Sequence, residues 1–541
     1  MEVGEFEILE KDLAGRIGRI KTAHGIIETP TIAPVINPII NPLTAEEILS
    51  MGFKLLITNA YIIMKHYGKL AEELKVHNIL GVNTPIMTDS GAYQLMVYGD
   101  IDVDPDSILK YQESIGSDIG VILDIPTRYN TPFDQAKREV EETIKRAKRA
   151  IKVRKREDFL LVGPVQGGRH KELVEYAART LSKIPMDIYA IGGPVQMLSG
   201  YKFEDLIDLI MTAKMNLPMG KPLHLFGAGH PMVLPLIVAL GVDLFDSASY
   251  ALYAKDNRYM TPWGTYRVET LEYFPCSCPT CSKYSPHDIK NMPKYEVERI
   301  LAKHNLYTLL SEINSIKQSI REGRLWELME NRLYSHPALL RAFSRLKKYI
   351  QFIEKVHPKI PKSVRGVLFF DKKSLIRPEV IRHKQLLKSR YIVPRYKDIV
   401  VLVPDIDTRP HNRQGPIYNL YTIIRNVFGE DAHRIHMLLY SKVFGAIPLE
   451  ISDTYPLSQY EESIEVDEQV IINIVDTLST VFTRSKYHTA VVCRVDSYPS
   501  RLYTMIHDLC KRLGVSVYEV YLYDYEKCVQ ILKRLLHVKR A

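Results

Sequence analysis

The amino-acid sequence predicts an α/β protein built on a (β/α)8 TIM-like barrel, followed by smaller α+β C-terminal domains. Three observations carry this reading. Eight short, nearly continuous apolar runs lie between residues 31 and 246, the pattern of parallel strands buried on both faces. Amphipathic segments of helical period fill most of the gaps, so strands and helices alternate as in βα units. An early glycine-rich dinucleotide fingerprint, which would favour a doubly wound open sheet, is missing.

In chain order the strand candidates are residues 31–35, 54–58, 85–89, 120–124, 160–166, 188–193, 222–227 and 242–246. Helical patterns cover 104–115, 131–156, 170–181, 203–215 and 232–240. After about residue 285 the texture changes. Residues 295–349 read as helical and arginine-rich, and 356–362, with Pro358 and Pro361, as a linker. Beyond it, 398–403, 490–495 and 515–523 read as strands, and 501–513 and 525–536 as helices. The expected division is a barrel domain over 1–355, including a cysteine cluster at 276–304, and one or two α+β domains over 366–541.

Length and composition agree. At roughly 150 residues per domain, 541 residues suit one large barrel plus smaller units. Hydrophobic residues at 46% and charged residues at 25% exclude global disorder, collagen and a coiled coil. No apolar stretch reaches the roughly 18 residues of a membrane helix, and the acidic start around Glu2, Glu5 and Glu7 is no signal peptide. A cytoplasmic protein without a membrane partner is expected. The net charge of +9 is compatible with a nucleic-acid partner without establishing one.

The strand ends are the informative detail. Asp89, Asp124, Gln166, Gly192 with Gly193, Gly227 and Asp246 all fall at the C-terminal end of a candidate strand. In a barrel those ends converge on the face where active sites are built. One Asp after a strand is ordinarily a helix cap; three, joined by a glutamine and glycine pairs, are not explained that way. Paired carboxyl groups can divide the work of exchange at an anomeric carbon, one attacking to give a covalent intermediate and one moving the proton of the leaving group. Tyr93 could stack on a flat ring, Gln166 can both donate and accept as a nucleobase edge requires, and Gly193 would expose backbone to a ligand. From these residues alone, N-glycosyl chemistry is one of several options.

Cys276, Cys278 and Cys281 place three of the six cysteines within six residues. In a cytosolic chain this reads as a zinc-binding insertion rather than a disulfide scaffold. A structural zinc takes four ligands, and the fourth could be His287 or His304, or one of Cys493, Cys510 and Cys528, which look like small core residues. His304 follows a candidate helix that begins near Lys294, so the chain could fold back over the thiolates.

Several segments together resemble the tRNA-guanine transglycosylases, in particular the archaeal branch. They are Thr88-Asp89-Ser90-Gly91-Ala92-Tyr93-Gln94, the run from Arg16 to Gly25, Val165-Gln166-Gly167-Gly168, Ala190-Ile191-Gly192-Gly193 and Asp243-Leu244-Phe245-Asp246-Ser247. The cysteine motif with His304 matches the family's zinc site, and the resemblance spans about residues 10 to 345. The archaeal character rests on Ser247 to Ala254 and on the long C-terminal part, with Phe444 to Pro448 and Tyr455 to Tyr460.

The resemblance implies exchange of guanine at position 15 in the tRNA D-arm for 7-cyano-7-deazaguanine (preQ0), a step toward archaeosine. It makes Asp246 the nucleophile and Asp89 the general acid/base. Ser90, Tyr93, Asp124, Gln166 and Gly193 become the base-binding set, and one structural Zn2+ is held by Cys276, Cys278, Cys281 and His304. A non-catalytic RNA-binding paralogue, an archaeosine synthase-like subunit and a barrel glycosidase are the rivals. Archaeal members often end in a PUA domain, whose pattern is not evident before Ala541; the resemblance leaves room for a separate PUA-domain protein and for a homodimer. The basic run from Lys145 to Arg156 is either a solvated helix face or a phosphate-contacting surface.

Overall fold

A computed structural model describes residues 1–92, 103–360, 366–406 and 408–537. The chain divides into two compact units, Met1–Ser363 and Val364–Ala541. Among the described residues no helix is long and apolar enough to cross a membrane.

The first unit opens with an antiparallel meander that the sequence reading did not anticipate: β1 (Phe6–Asp12), β2 (Gly15–Thr22) and β3 (Gly25–Thr29). Its residues alternate apolar with charged, as in a sheet with one face covered. Ile20 and Ile27 are buried in one cluster with the barrel interior, alongside Ala33, Leu55, Met87 and Leu244. The meander therefore plugs the N-terminal end of the barrel. Arg16 ties it down, with Nε and Nη2 donating to the Asp243 carboxylate at 2.7 and 2.8 Å.

The barrel follows: β4 (Thr31–Ile36), β5 (Leu56–Asn59), β6 (Ile86–Asp89), β7 (Ile119–Val121), β8 (Leu160–Val165), β9 (Ile188–Ile191), β10 (Leu223–Leu225) and β11 (Leu244–Ser247). The eight strands close in that order, all parallel, with β11 pairing back onto β4. Each of the eight apolar runs supplies one strand. Burial on both faces explains why: all six residues of β8 and all four of β9 are buried. The amphipathic segments form the outer helices, among them Pro105–Ser114, Phe133–Val153, Lys171–Leu181 and Phe203–Asn216.

After β11 a short helix, Ser249–Lys255, leads to the hairpin β12 (Arg258–Thr261) and β13 (Gly264–Arg267). A 29-residue helix, Lys294–Glu322, then crosses back. His304 lies inside this helix rather than after it. The helical segment expected up to residue 349 is broken at Gly323, a left-handed C-cap, and continues as separate short helices.

The second unit holds β14 (Val367–Phe369), β15 (Ile399–Pro404), β16 (Ile435–Ser441), β17 (Gly445–Pro448), β18 (Tyr460–Glu462), β19 (Thr489–Arg494) and β20 (Ser516–Tyr521). Five of them form a sheet of order β17-β16-β15-β19-β20, parallel except for the β16–β17 edge pair. The α+β expectation is corrected here to an α/β unit. Helices such as Gly415–Phe428, Glu468–Phe482 and Ser500–Arg512 separate parallel strands. The reading missed β16, which is buried along all seven residues.

Candidate active site and metal centre

The C-terminal ends of the barrel strands bring the predicted carboxyl groups to one mouth. Asp89 is the last residue of β6 and Asp246 the third of β11, while Asp124 follows β7 by three residues. Burial pushes the Asp89 carboxyl up to about 7, with the Asp124 and Asp246 carboxylates adding to the rise and the Ser90 and Gly91 N–H groups partly opposing it. Burial also pushes Asp124 up to about 6, against the pull of its Gln166 hydrogen bond.

Each carboxylate has its own partners. Asn59 ends β5 directly opposite Asp89, and its Nδ2 donates to Asp89 Oδ2 at 2.9 Å. The same side chain caps the helix Ala60–Tyr67 through Ile62 N–H. Asp246 Oδ1 accepts twice, from His224 Nε2 at 2.9 Å and from Gly227 N–H at 3.1 Å. His224 is fully buried in β10, and its Nδ1 meets no partner among the described residues, which fits an Nε2–H tautomer aimed at Asp246. Sequence reading missed both residues. Asn59 looks like an ordinary cap, and His224 sits in an apolar strand where a buried histidine is unremarkable.

Gln166 Nε2 donates to Asp124 Oδ2 at 2.5 Å and its Oε1 accepts from Thr127 N–H at 3.0 Å. One N–H and one lone pair of the amide thus position Asp124 and the Thr127 backbone, and a second donor and a second acceptor remain. Gly192 makes room for this: a β-carbon there would lie 2.0 Å from Gln166 Nε2. Gly193 turns in the left-handed region at φ +76° and passes close to the Thr127 carbonyl. Ser90 is buried and its hydroxyl donates to Ile122 O at 3.2 Å, so it steadies the β6–β7 rim. Tyr93 lies outside the described residues.

A second cluster sits beyond β11. The donor atoms of Cys276, Cys278, Cys281 and His304 all lie within 4.8 Å of one another. His304 Nδ1 is 3.6 Å from Cys278 Sγ and 3.3 Å from Cys281 Sγ. Its Nε2 bonds Met260 O in the β12 strand at 2.8 Å, which leaves the Nδ1 lone pair facing the sulfurs. Tyr259 stacks on the imidazole at 3.6 Å and reaches Cys281 Sγ with its hydroxyl. His287 is exposed and contacts Asn291 instead. Cys493, Cys510 and Cys528 belong to the apolar core of the second unit.

The basic run occupies the outer helix Phe133–Val153 and the turn after it. Acidic neighbours pair with Arg146 (Glu142), Arg149 (Asp106), Arg154 (Asp187) and Arg156 (Asp158). Lys145, which also reaches Glu142 at 3.5 Å, Lys148 and Lys152 remain exposed.

Barrel, clustered mouth carboxyls and a separate Cys3His cluster that could hold a metal ion are the features of a barrel enzyme. Comparison with known proteins narrows this. A family model described as queuine tRNA-ribosyltransferase matches residues 12–338, and the chain belongs to that family. It is 43% identical over 494 residues to the tRNA-guanine(15) transglycosylase of Sulfolobus acidocaldarius, covering 91% of this chain and 95% of the relative. The Saccharolobus solfataricus protein of the same name is 44% identical over 491 residues, 89% and 95% of the two chains. That of Methanocaldococcus jannaschii is 43% identical over 481 residues, 87% of this chain and 71% of the relative.

Proposed function

We propose that the protein exchanges guanine at position 15 in the D-arm of tRNA for free preQ0, through a covalent bond between Asp246 and the ribose, as a step in archaeosine biosynthesis. The observation that carries the reading is the unequal treatment of two carboxyl groups in one mouth. Two N–H donors occupy Asp246 Oδ1 and orient Oδ2 for attack on C1′. Asp89 is held near neutrality, where a carboxyl can both give and take a proton.

Asp246 Oδ2 forms a bond to C1′ while the bond from C1′ to the guanine ring nitrogen breaks, and Asp89 supplies the proton that the departing base gains. The incoming base returns a proton to the Asp89 carboxylate. Its ring nitrogen then attacks C1′ from the face opposite Asp246, whose C–O bond breaks. Two displacements retain the configuration at C1′. The labelled-base assay is direct: radioactive guanine should enter an unmodified tRNA transcript, and preQ0 should chase it out. An RNA-binding paralogue, a synthase-like subunit or a sugar glycosidase would incorporate none.

Asp124, braced by Gln166, is the group for the amino and ring N–H edge of the base. Asp124→Asn keeps the shape and removes the charge. Buried hydrogen bonds to charged groups contribute roughly 1.5–3 kcal/mol, so base affinity should fall roughly ten- to a hundredfold, read as KM for the free base. Wild-type KM in this variant rules the contact out.

The cysteine cluster suits one structural Zn2+. For Zn–S of about 2.3 Å and Zn–N of about 2.0 Å, a tetrahedron has an N···S edge of about 3.5 Å, close to the separations of 3.6 and 3.3 Å found at His304. All four ligand positions are filled by protein, so the ion supplies cross-linking rather than a reactive site. The purified chain should hold about one zinc, and His304→Ala should lose most of it while His287→Ala keeps it. Metal analysis with the opposite pattern transfers the ligand role to His287.

A further inference from the structure

The barrel's other end carries a cluster that neither the mouth nor the cysteine site uses. His24 lies in the turn between β2 and β3, His77 in the helix Leu70–Leu80, and Asp118 immediately before β7. Asp118 and the mouth residue Asp124 thus flank opposite ends of one strand. His24 Nδ1 is 2.9 Å from Asp118 Oδ1, and His77 Nε2 is 3.1 Å from Asp118 Oδ2. The two imidazoles stack at 3.7 Å. Their donor atoms and the carboxylate oxygen all lie within 4.8 Å of one another.

We propose that His24, His77 and Asp118 form a second divalent metal site, for an ion of the zinc, cobalt and nickel class, which clamps the N-terminal meander to the barrel. Two nitrogens and one carboxylate exclude calcium- and magnesium-type sites, which prefer oxygen alone, and suit borderline first-row ions. The separations are right: bonds of about 2.1 Å give an octahedral edge of about 3.0 Å. The carboxylate is buried and anchored, since Ile86 N–H also donates to Asp118 Oδ2 at 2.9 Å. Thr84 O, 3.1 Å from His77 Nε2, offers a fourth donor. The cluster is also open to supply. The His24 side chain is 33% exposed, and His24 and Thr84 line a cleft of about 290 Å³ that can admit the ion and the waters completing its shell.

The competing account is a hydrogen-bonded pair of histidines sharing Asp118 with no ion. The two are separated by counting metal on the full-length protein with its cysteine site already filled by zinc. On equilibration with Co2+ and removal of excess, wild type should carry about two metal ions per chain. The added cobalt should show weak d–d absorption without thiolate charge-transfer bands, and should raise the melting temperature. His24→Gln, at the exposed ligand, should return the count to about one, keep the zinc, and abolish the cobalt-dependent stabilisation. Asp118→Asn should do the same. If Asp118→Asn does not fold, His24→Gln decides. A wild-type count that stays at one, or a second cobalt that persists in His24→Gln, overturns the proposal.

Discussion

Asp246→Ala should abolish base exchange, by on the order of 10⁴-fold or more, and no covalent protein–tRNA adduct should survive denaturing electrophoresis. The size of the effect follows from the two-displacement scheme. Without an attacking carboxylate guanine must be displaced from C1′ in one step, and neither His224 nor the Gly227 N–H, which hold Oδ1, takes over the attack. Asp246→Asn tests the same point with the shape retained, and both variants should bind tRNA as wild type does. The decisive comparison is with Asp89→Ala. An adduct that forms in Asp246→Ala but not in Asp89→Ala reverses the two assignments.

Asp89→Asn should lower turnover by roughly 10²–10⁴-fold, the range for loss of a general acid/base, and should do so through kcat rather than tRNA affinity. The wild-type enzyme should show a limb in its pH–rate profile near 7, because proton donation to the leaving base needs the protonated carboxyl. That limb should vanish from the residual activity of the variant. Stability moves the other way. The folded-state value of Asp89 lies above that of an unfolded aspartate, so the group stabilises the fold while protonated in both states, and this advantage is lost as pH rises toward about 7. The variant should therefore melt above wild type at pH 8, by an amount that shrinks toward pH 4. An unchanged pH profile together with unchanged turnover removes Asp89 from the chemistry.

How much of this was legible in the sequence depends on what each residue answers to. The barrel strands were plain because burial on both faces leaves a nearly unbroken run without charge, as in Leu160–Val165. The meander was not, because Phe6–Asp12 carries three acidic side chains among its apolar ones and reads as a solvated terminus until Ile20 and Ile27 are seen in the barrel core. Asp89, Asp124 and Asp246 stood out by position, since strand ends are marked by the residues before them. Their partners did not. His224 and Asn59 act across neighbouring strands, and the pairings of β5 with β6 and of β10 with β11 exist only once the barrel has closed. Gln166 was singled out as a rim residue, but its hold on Asp124 was not foreseen. Its amide chemistry suits a base edge equally well, and only Thr127 and Asp124 show where it is engaged.

The fit of Gly192 under the Gln166 amide has a consequence for how this lineage can vary. An alanine at 192 arising first would drive its methyl group into the glutamine and displace the brace on Asp124. A shorter side chain at 166 arising first would leave Asp124 without that brace. Each change is harmful on the background of the other residue's present state, so neither order of substitution offers a level path. The clash ties the two positions together: glutamine and glycine should persist as a pair through long divergence, and an alanine at 192 should be found only where residue 166 has also changed. Competitive growth of strains dependent on the enzyme, carrying Gly192→Ala or Gln166→Asn, would show both as less fit than the parent.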